Sequence, residues 1–257
     1  MTEFCAVVTA ERAASDNDQF PELLPPLVGP RTAVLTLQNG LGNEEQLARF
    51  LPVGQIMGGL CFVCLNRVGP GEIHHIGHGR IALGEYQRWP EPRTHDIASM
   101  FRHAGIPCEV TDDLARAHWE KLVWNIPFNG LGVASSAGLS AMLGGRIPDS
   151  TQRGPCLTTD KLLGDPAWEK IVRELMNEIV LTARAIGLKI SDEIIDDQIA
   201  RTIPMGAYKA STLVDFERGQ PLEIESLFIE PLRRAQAAGV ETPRLRKLSS
   251  ILKQLAP

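Results

Sequence analysis

The chain has 257 residues and a formal net charge of −5, with 44% hydrophobic and 22% charged residues. This acidic balance disfavours nucleic acid or an anionic membrane as the main partner, because both need a basic surface. Five cysteines without regular spacing do not make a disulfide framework, and no apolar run reaches the roughly 18 residues of a membrane span. We therefore expect a reduced, cytoplasmic protein that binds neither nucleic acid nor membrane.

The first part of the chain alternates strands and helices. Residues 4–9 (FCAVVT) and 33–37 (AVLTL) are typical of short buried strands, and a loop with a short helix lies between them. Strand, helix and strand in this order favour a parallel βαβ unit.

The turn after the second predicted strand contains Gly40-Leu41-Gly42, like the start of a dinucleotide-binding fingerprint. The third glycine position is occupied by Glu45, whose charge would repel a diphosphate. We therefore do not assign phosphate binding to this turn. Asn43 is expected to cap the helix that follows, with acidic residues in its first turn.

Residues 56–110 predict a region that is not purely parallel. A β-rich stretch over 56–68, a Gly69-Pro70-Gly71 turn and strands over 72–76 and 80–84 predict a meander. A helix over 92–104 leads to a last strand over 107–110. Beyond it the chain is helical, with helices predicted over 111–132, 166–186, 191–203, 208–217, 221–238 and 243–255. An α/β part over residues 1–111 is therefore followed by an all-α part over residues 112–257.

A lone CxxC formed by Cys61 and Cys64, followed by three histidines, raises the question of a zinc site. Residues three apart on a strand point to opposite faces, whereas zinc ligands must converge. The pattern therefore favours ordinary strand residues, and we expect no metal.

The helix predicted over 111–132 carries three polar residues on one face. Lys121, Asn125 and Asn129 follow at intervals of four, so they span only about 80° of the helix circumference. Pro127 is expected to kink the helix between the asparagines. Three roles are open for Lys121: a surface charge, a partner of a buried carboxylate, or an acid that protonates a developing alkoxide.

Two further polar residues stand in the C-terminal helices. Ser211 and Glu223 lie in KASTLVDFERGQPLEIE, on either side of a turn at Gly219 and Pro221. Taken singly, Ser211 is typical of a helical hydroxyl and Glu223 of a first-turn glutamate that complements the helix dipole.

Together these pieces resemble the ketopantoate reductase (2-dehydropantoate 2-reductase) family over nearly the whole chain. The matching stretches, in order, are LTLQNGLGNEE, GPGEIHHIGHGRIALGE, WEKLVWNIPFNGL, KASTLVDFERGQPLEIE and AAGVETPRL. The resemblance implies an α/β protein with a Rossmann-like NADP-binding domain over 1–111 and a helical substrate and dimerisation domain over 112–257. It also implies a role in pantothenate biosynthesis, with a homodimer as a candidate assembly.

The resemblance implies a role for each matching polar residue. Lys121 matches the proton-donating lysine, and Asn39 of the QNG motif matches an asparagine near the nicotinamide of NADPH. Asn125 and Asn129 match two asparagines of the substrate cleft. Ser211 and Glu223 match the residues that hold the carboxylate and hydroxyl ends of a small 2-ketoacid.

One departure from the family concerns the cofactor. Family members open with a strand and a GxGxxG phosphate loop, and this sequence contains neither, since it begins roughly where the family's fourth strand would lie. The comparison therefore implies an N-terminally truncated Rossmann-like domain. An alternative of a different class is a catalytically inactive family remnant that acts as a binding or oligomerising module.

Overall fold

The computed structural model describes residues 6–9 and 14–256. They divide into two compact units, one up to His118 and one from Trp119 onward, and the division falls inside a long helix. The first unit is built on a mixed sheet with Rossmann-like strand order, and the second is helical. The predicted fold class is therefore confirmed.

Within the described residues, the sheet unit has five strands that neighbour one another in chain order. They are β1 (Ala6–Thr9), β2 (Ala33–Thr36), β3 (Ile56–Gly69), β4 (Glu72–Glu85) and β5 (Cys108–Val110). β1, β2 and β3 are mutually parallel neighbours, β4 is antiparallel to β3, and β5 is parallel to β4. The predicted parallel βαβ unit is confirmed. The predicted meander is a two-stranded hairpin instead, because residues 72–76 and 80–84 belong to one continuous strand, β4, that pairs with β3.

Helices cover both faces of the sheet. The described helices of this unit are α1 (Phe20–Leu23), α2 (Asn43–Leu47), α3 (Pro92–His103) and the start of α4 (Leu114–Ala134). Side chains alternate along β2, so Leu35 packs with Ile97 of α3 while Val34 packs with Phe20 and Leu47 of α1 and α2. This double coverage explains why β2 is a continuous apolar run.

The helical unit contains the rest of α4 and seven further helices among the described residues. They are α5 (Leu139–Met142), α6 (Thr159–Gly164), α7 (Pro166–Ala185), α8 (Ile194–Thr202), α9 (Ser211–Glu217), α10 (Glu230–Ala237) and α11 (Pro243–Leu255). Asp165 caps α7, as its carboxylate accepts the Ala167 N–H at 2.8 Å and the Trp168 N–H at 3.3 Å. None of the described helices is long and apolar enough to cross a membrane.

The helices predicted from residues 111, 191, 208 and 221 all begin a few residues later, and the causes are clear for two of them. α8 begins at Ile194 rather than Ser191, because the Ser191 hydroxyl accepts the Glu193 N–H in a turn that precedes the helix. α9 begins at Ser211 rather than Tyr208, because the Tyr208 carbonyl accepts the Thr159 N–H at 3.1 Å instead of a helical N–H. A further difference is a π-helical turn, Glu225–Ile229, ahead of α10.

Candidate functional site

The turn after β2 places Asn39 at the carboxyl end of a parallel strand, where open α/β sheets bind their ligands. Asn39 is half-buried, and the tight path of the turn depends on Gly40 and Gly42, whose φ angles are +86° and +93°. The N-cap of α2 is Gly42, so the prediction that Asn43 caps this helix is wrong. Asn43 is instead the first helical residue, and its amide donates to the Asn39 carbonyl at 3.1 Å.

A network of buried amides surrounds this turn. The Asn17 amide donates to Asn43 Oδ1 at 2.8 Å, and Gln38 Nε2 donates to Asn17 Oδ1 at 2.8 Å. The Thr36 hydroxyl donates to Gln38 Oε1 at 2.8 Å. The three amide side chains are 1% to 5% exposed, so their mutual bonds satisfy groups that water does not reach. No sequence signal singled out Asn17, because it lies in a short 3-10 helix, Ala14–Gln19, 26 residues before Asn43.

Glu44, in the first turn of α2, points into the sheet unit and meets an imidazole. His118 Nε2 lies 3.0 Å from Glu44 Oε1, and both side chains are almost fully buried. The pair needs the bare Cα of Gly58 on β3, because a Cβ there would overlap the Glu44 carboxylate and lie 2.7 Å from Leu114 Cδ2. Glu44 is therefore a built-in structural partner, not a surface charge.

In the helical unit, α4 presents the three predicted polar residues along one face. The helix runs without interruption through Pro127. Lys121 is half-buried, whereas Asn125 is 7% and Asn129 is 3% exposed. The face is thus largely enclosed, as expected of a site wall rather than of a solvent-facing stripe.

Asn129 joins α4 to the start of α9. Its Oδ1 accepts the Thr212 N–H at 3.1 Å and the Ser211 hydroxyl at 3.2 Å. The N-cap of α9 is Ala210, which has no capping side chain, so Asn129 serves as the cap from another helix. The structure therefore brings together two of the predicted residues, Asn129 and Ser211. Both bonds use Asn129 Oδ1, so neither amide hydrogen of Asn129 takes part in them.

Asn125 differs from Asn129 in having no protein partner. Among the described residues, its side-chain amide forms no hydrogen bond, although the residue is 7% exposed. A buried amide normally finds a partner, since an unmade hydrogen bond costs roughly 1 to 3 kcal/mol. The Asn125 amide is therefore available to a ligand.

Glu223 lies just ahead of the π-helical turn and is half-buried. The turn packs against α4 beside Asn129, because a Cβ at Gly130 would lie only 2.8 Å from Phe228 Cε1. The Glu223 segment is thus seated on the same stretch of α4 as the start of α9. Helical turns of the π type are frequent at functional sites.

The sequence did not indicate three residues on or next to α4, namely Trp124, Thr202 and Tyr208. Trp124 and Tyr208 place their ring centroids 6.2 Å apart, and Trp124 Nε1 donates to the Thr202 hydroxyl at 2.8 Å. Trp124 and Phe128 are four residues apart, a spacing that indicates an aromatic stripe along one helix face. Their distant partners, Thr202 and Tyr208, could be found only from the fold.

Asp215 is a fourth such residue, one turn beyond Ser211 on α9. Its carboxylate is half-buried and forms no hydrogen bond or ion pair among the described residues. Burial raises the pKa of the Asp215 carboxyl above its usual value, and the nearby charge of Arg218 lowers it by a smaller amount.

The described histidines, cysteines and carboxylates include no group of three arranged to hold a metal ion. Cys61 and Cys64 lie on β3 as ordinary strand residues, opposite Ile81 and Gly77 of β4.

Comparisons with known proteins agree with this architecture of a Rossmann-like sheet unit followed by a helical unit. Residues 6–88 match the family described as ketopantoate reductase PanE/ApbA, and residues 156–256 match its C-terminal domain. A 2-dehydropantoate 2-reductase from Nostoc sp. is 38% identical over 98% of this chain and 74% of its own length.

Solved structures give the same result. A 2-dehydropantoate 2-reductase from Geobacter metallireducens is 42% identical with a TM-score of 0.84, over 97% of this chain and 76% of that one. The enzyme of the same name from Methylococcus capsulatus is 30% identical with a TM-score of 0.79, over 98% and 74% of the two chains. The chain belongs to the ketopantoate reductase family.

Proposed function

We propose that the protein catalyses the NADPH-dependent reduction of 2-dehydropantoate, or of a similar small 2-ketoacid, to the 2-hydroxy acid. The observation that carries the proposal is the enclosed face of α4, where Asn125 has no partner among the described residues and Asn129 holds Ser211. Family membership supports the reaction type.

Lys121 is proposed as the general acid. Hydride addition to a ketone carbon leaves negative charge on the carbonyl oxygen, and an ammonium group beside that oxygen both stabilises the charge and supplies the proton. Lys121 is half-buried on the same helix face as Asn125, one turn before it. This setting suits a charged amine that meets a ligand rather than bulk water.

The remaining polar residues are proposed to orient the ketoacid. The amides of Asn125 and Asn129 can donate to carboxylate or carbonyl oxygens without adding charge, and the Ser211 hydroxyl can re-aim its proton from Asn129 to a ligand. Asn129 Oδ1 would then keep the Thr212 N–H as its donor. Glu223 is proposed to accept from the hydroxyl end of the substrate.

The described residues fit only part of a nicotinamide dinucleotide. The bound cofactor would supply the hydride, and the half-buried carboxamide of Asn39 suits contact with its nicotinamide end. The Gly40–Gly42 turn does not suit the diphosphate, because the five-residue helix after it carries Glu44 and Glu45 in its first turn.

This mismatch favours a second candidate function, a non-catalytic module that binds a small ketoacid or assembles with another chain. The two candidates share the α4 face and differ in reduction. A homodimer is a prediction in both, and sedimentation velocity of the purified chain would measure it.

The experiment combines calorimetry with a turnover assay on the 257-residue chain. We expect 2-dehydropantoate or pantoate to bind, and Asn125→Leu to weaken binding at least about tenfold, or 1.4 kcal/mol. NADPH oxidation that falls about 10²-fold or more in Lys121→Ala would support the reductase. Ligand binding without any oxidation would favour the module. Absence of both would refute the reductase and the ligand-binding module, and a monomer in sedimentation velocity would also refute self-assembly.

A further inference from the structure

The chain between α8 and α9 returns to α4 at two places. This connection, residues 202–211, starts at the last residue of α8 and ends at the first residue of α9. One attachment is at Trp124 and the other is at Asn129, so Asn125 lies between them on the helix.

Trp124 forms the first attachment with its indole N–H and with its ring. Its Nε1 donates to the Thr202 hydroxyl at 2.8 Å, and that hydroxyl in turn donates to the Gln198 carbonyl at 2.7 Å within α8. Thr202 is 1% exposed, so this bond is shielded from water. The indole therefore fixes the start of the connection.

The Trp124 ring also holds Tyr208. The two ring centroids are 6.2 Å apart with planes at 47°, and Phe128 supports the indole from behind at 5.1 Å. Separations of 4.5 to 7 Å are typical of favourable aromatic pairs, worth about 0.5 to 1.5 kcal/mol beyond buried area. The backbone of the connection is tied separately, as the Thr159 hydroxyl donates to the Gly206 carbonyl at 2.7 Å.

The two attachments lie on either side of Asn125 around the axis of α4. On a helical wheel, Trp124 and Asn129 lie about 140° apart, and Asn125 lies between them. Only Lys209 and Ala210 separate Tyr208 from Ser211, and Ala210 is 3% exposed. The connection is therefore held to α4 on both sides of Asn125.

We propose that Trp124 is a positioning residue for ligand binding, which holds Ser211 beside Asn129, one turn of α4 beyond Asn125, by anchoring Thr202 and Tyr208. The inference rests on the proposed function for the identity of the ligand. Trp124 does not act as a catalytic group. Its role is to fix the placement of the connection that brings Ser211 to Asn129.

The test compares three variants of the full chain. Trp124→Leu removes the ring contact and the indole donor, whereas Trp124→Phe keeps a ring against Tyr208 and loses only the donor. Tyr208→Leu removes the same ring contact by changing the half-buried Tyr208 instead of Trp124. It replaces Trp124→Leu in the test if that variant fails to fold. Leu255→Ala, in the last turn of α11, is the control for general destabilisation.

Two readouts are measured for each variant. Hydrogen exchange at the Thr212 N–H reports the bond to Asn129 Oδ1 without any ligand. Calorimetry with pantoate reports the affinity. We expect Trp124→Leu and Tyr208→Leu to speed exchange and to raise Kd about tenfold, the equivalent of 1.4 kcal/mol. Trp124→Phe should keep the exchange rate and the Kd close to those of the parent chain.

The inference is overturned if Trp124→Leu leaves either readout unchanged, or if Leu255→Ala alters both readouts as strongly at an equal loss of stability. Failure of the proposed function looks different. In that case the unmodified chain does not bind pantoate, and faster exchange in Trp124→Leu still shows that the indole holds the connection.

Discussion

Each unit contains a polar feature near the candidate site, and the two features differ in how their hydrogen-bonding groups are used. Around the turn after β2, Asn17, Gln38 and Asn43 bond to one another, and Glu44 meets His118. In the helical unit, the Asn125 amide has no hydrogen bond and the half-buried Asp215 carboxylate has no partner among the described residues.

The contrast separates structural polarity from polarity that is free for binding. An amide whose donors and acceptor are used within the protein contributes to stability, and losing it leaves its partners unsatisfied. An amide left without a partner contributes little to stability and is ready to bond a ligand. Substitutions in the sheet unit should therefore lower the free energy of unfolding, and those along α4 should lower affinity instead.

The largest loss of stability is expected for Gly58→Ala. The added methyl group would overlap the Glu44 carboxylate and crowd Leu114, and overpacking of this kind costs about 2 to 3 kcal/mol. Urea denaturation measures the change. Gly77→Ala on β4 is the matched control, because a Cβ there meets nothing within 4 Å. Equal stability of the two variants would contradict a tightly built Glu44–His118 pair.

The same change, Asn to Ala, at two positions tests the contrast most directly. Asn17→Ala should lower the free energy of unfolding by about 2 kcal/mol, because it removes the acceptor of the Gln38 Nε2–H bond and the donor to Asn43 Oδ1. Asn125→Ala should change it by less than about 1 kcal/mol, because no described hydrogen bond is lost. Urea denaturation measures the free energy of unfolding of both variants. A larger loss in Asn125→Ala than in Asn17→Ala would contradict the difference between the two regions.

The smallest effect is expected at Asp215 and depends on pH. Burial raises the pKa of the Asp215 carboxyl in the folded protein. The protonated carboxyl therefore contributes its full stability below the usual aspartate pKa of about 3.9, and this stability is lost as pH rises through the pKa of the folded protein. Asp215→Asn should therefore be more stable than the parent at pH 7, by about 0.5 kcal/mol after allowance for solvent screening, and equal to it near pH 3.5.

Urea denaturation across this pH range measures the Asp215 effect. Asp197→Asn on α8 removes the same charge at an exposed position and serves as the control. A parent chain that gains stability relative to Asp215→Asn as pH rises would show that an undescribed partner holds the carboxylate.

Most elements and the list of site residues could be predicted from the sequence. Buried strands are continuous apolar runs, Gly-Pro-Gly marks the hairpin, and Asp165 before Pro166 marks the start of α7, because each pattern acts over a few residues. The spacing of Lys121, Asn125 and Asn129 placed them on one helix face by periodicity alone. Family resemblance added Ser211, Glu223 and Asn39, whose roles stay predictions.

Only the tertiary structure decided which polar groups are used and which are free. Asn129 meets Thr212 across 83 positions, and Glu44 meets His118 across 74, so neither contact leaves a local pattern. The start of α9 differs from its prediction for the same reason, since a distant Thr159 N–H bonds to the Tyr208 carbonyl. Periodicity fixes the direction in which a side chain points along its own helix or strand, whereas the chain that packs opposite determines whether that side chain finds a partner.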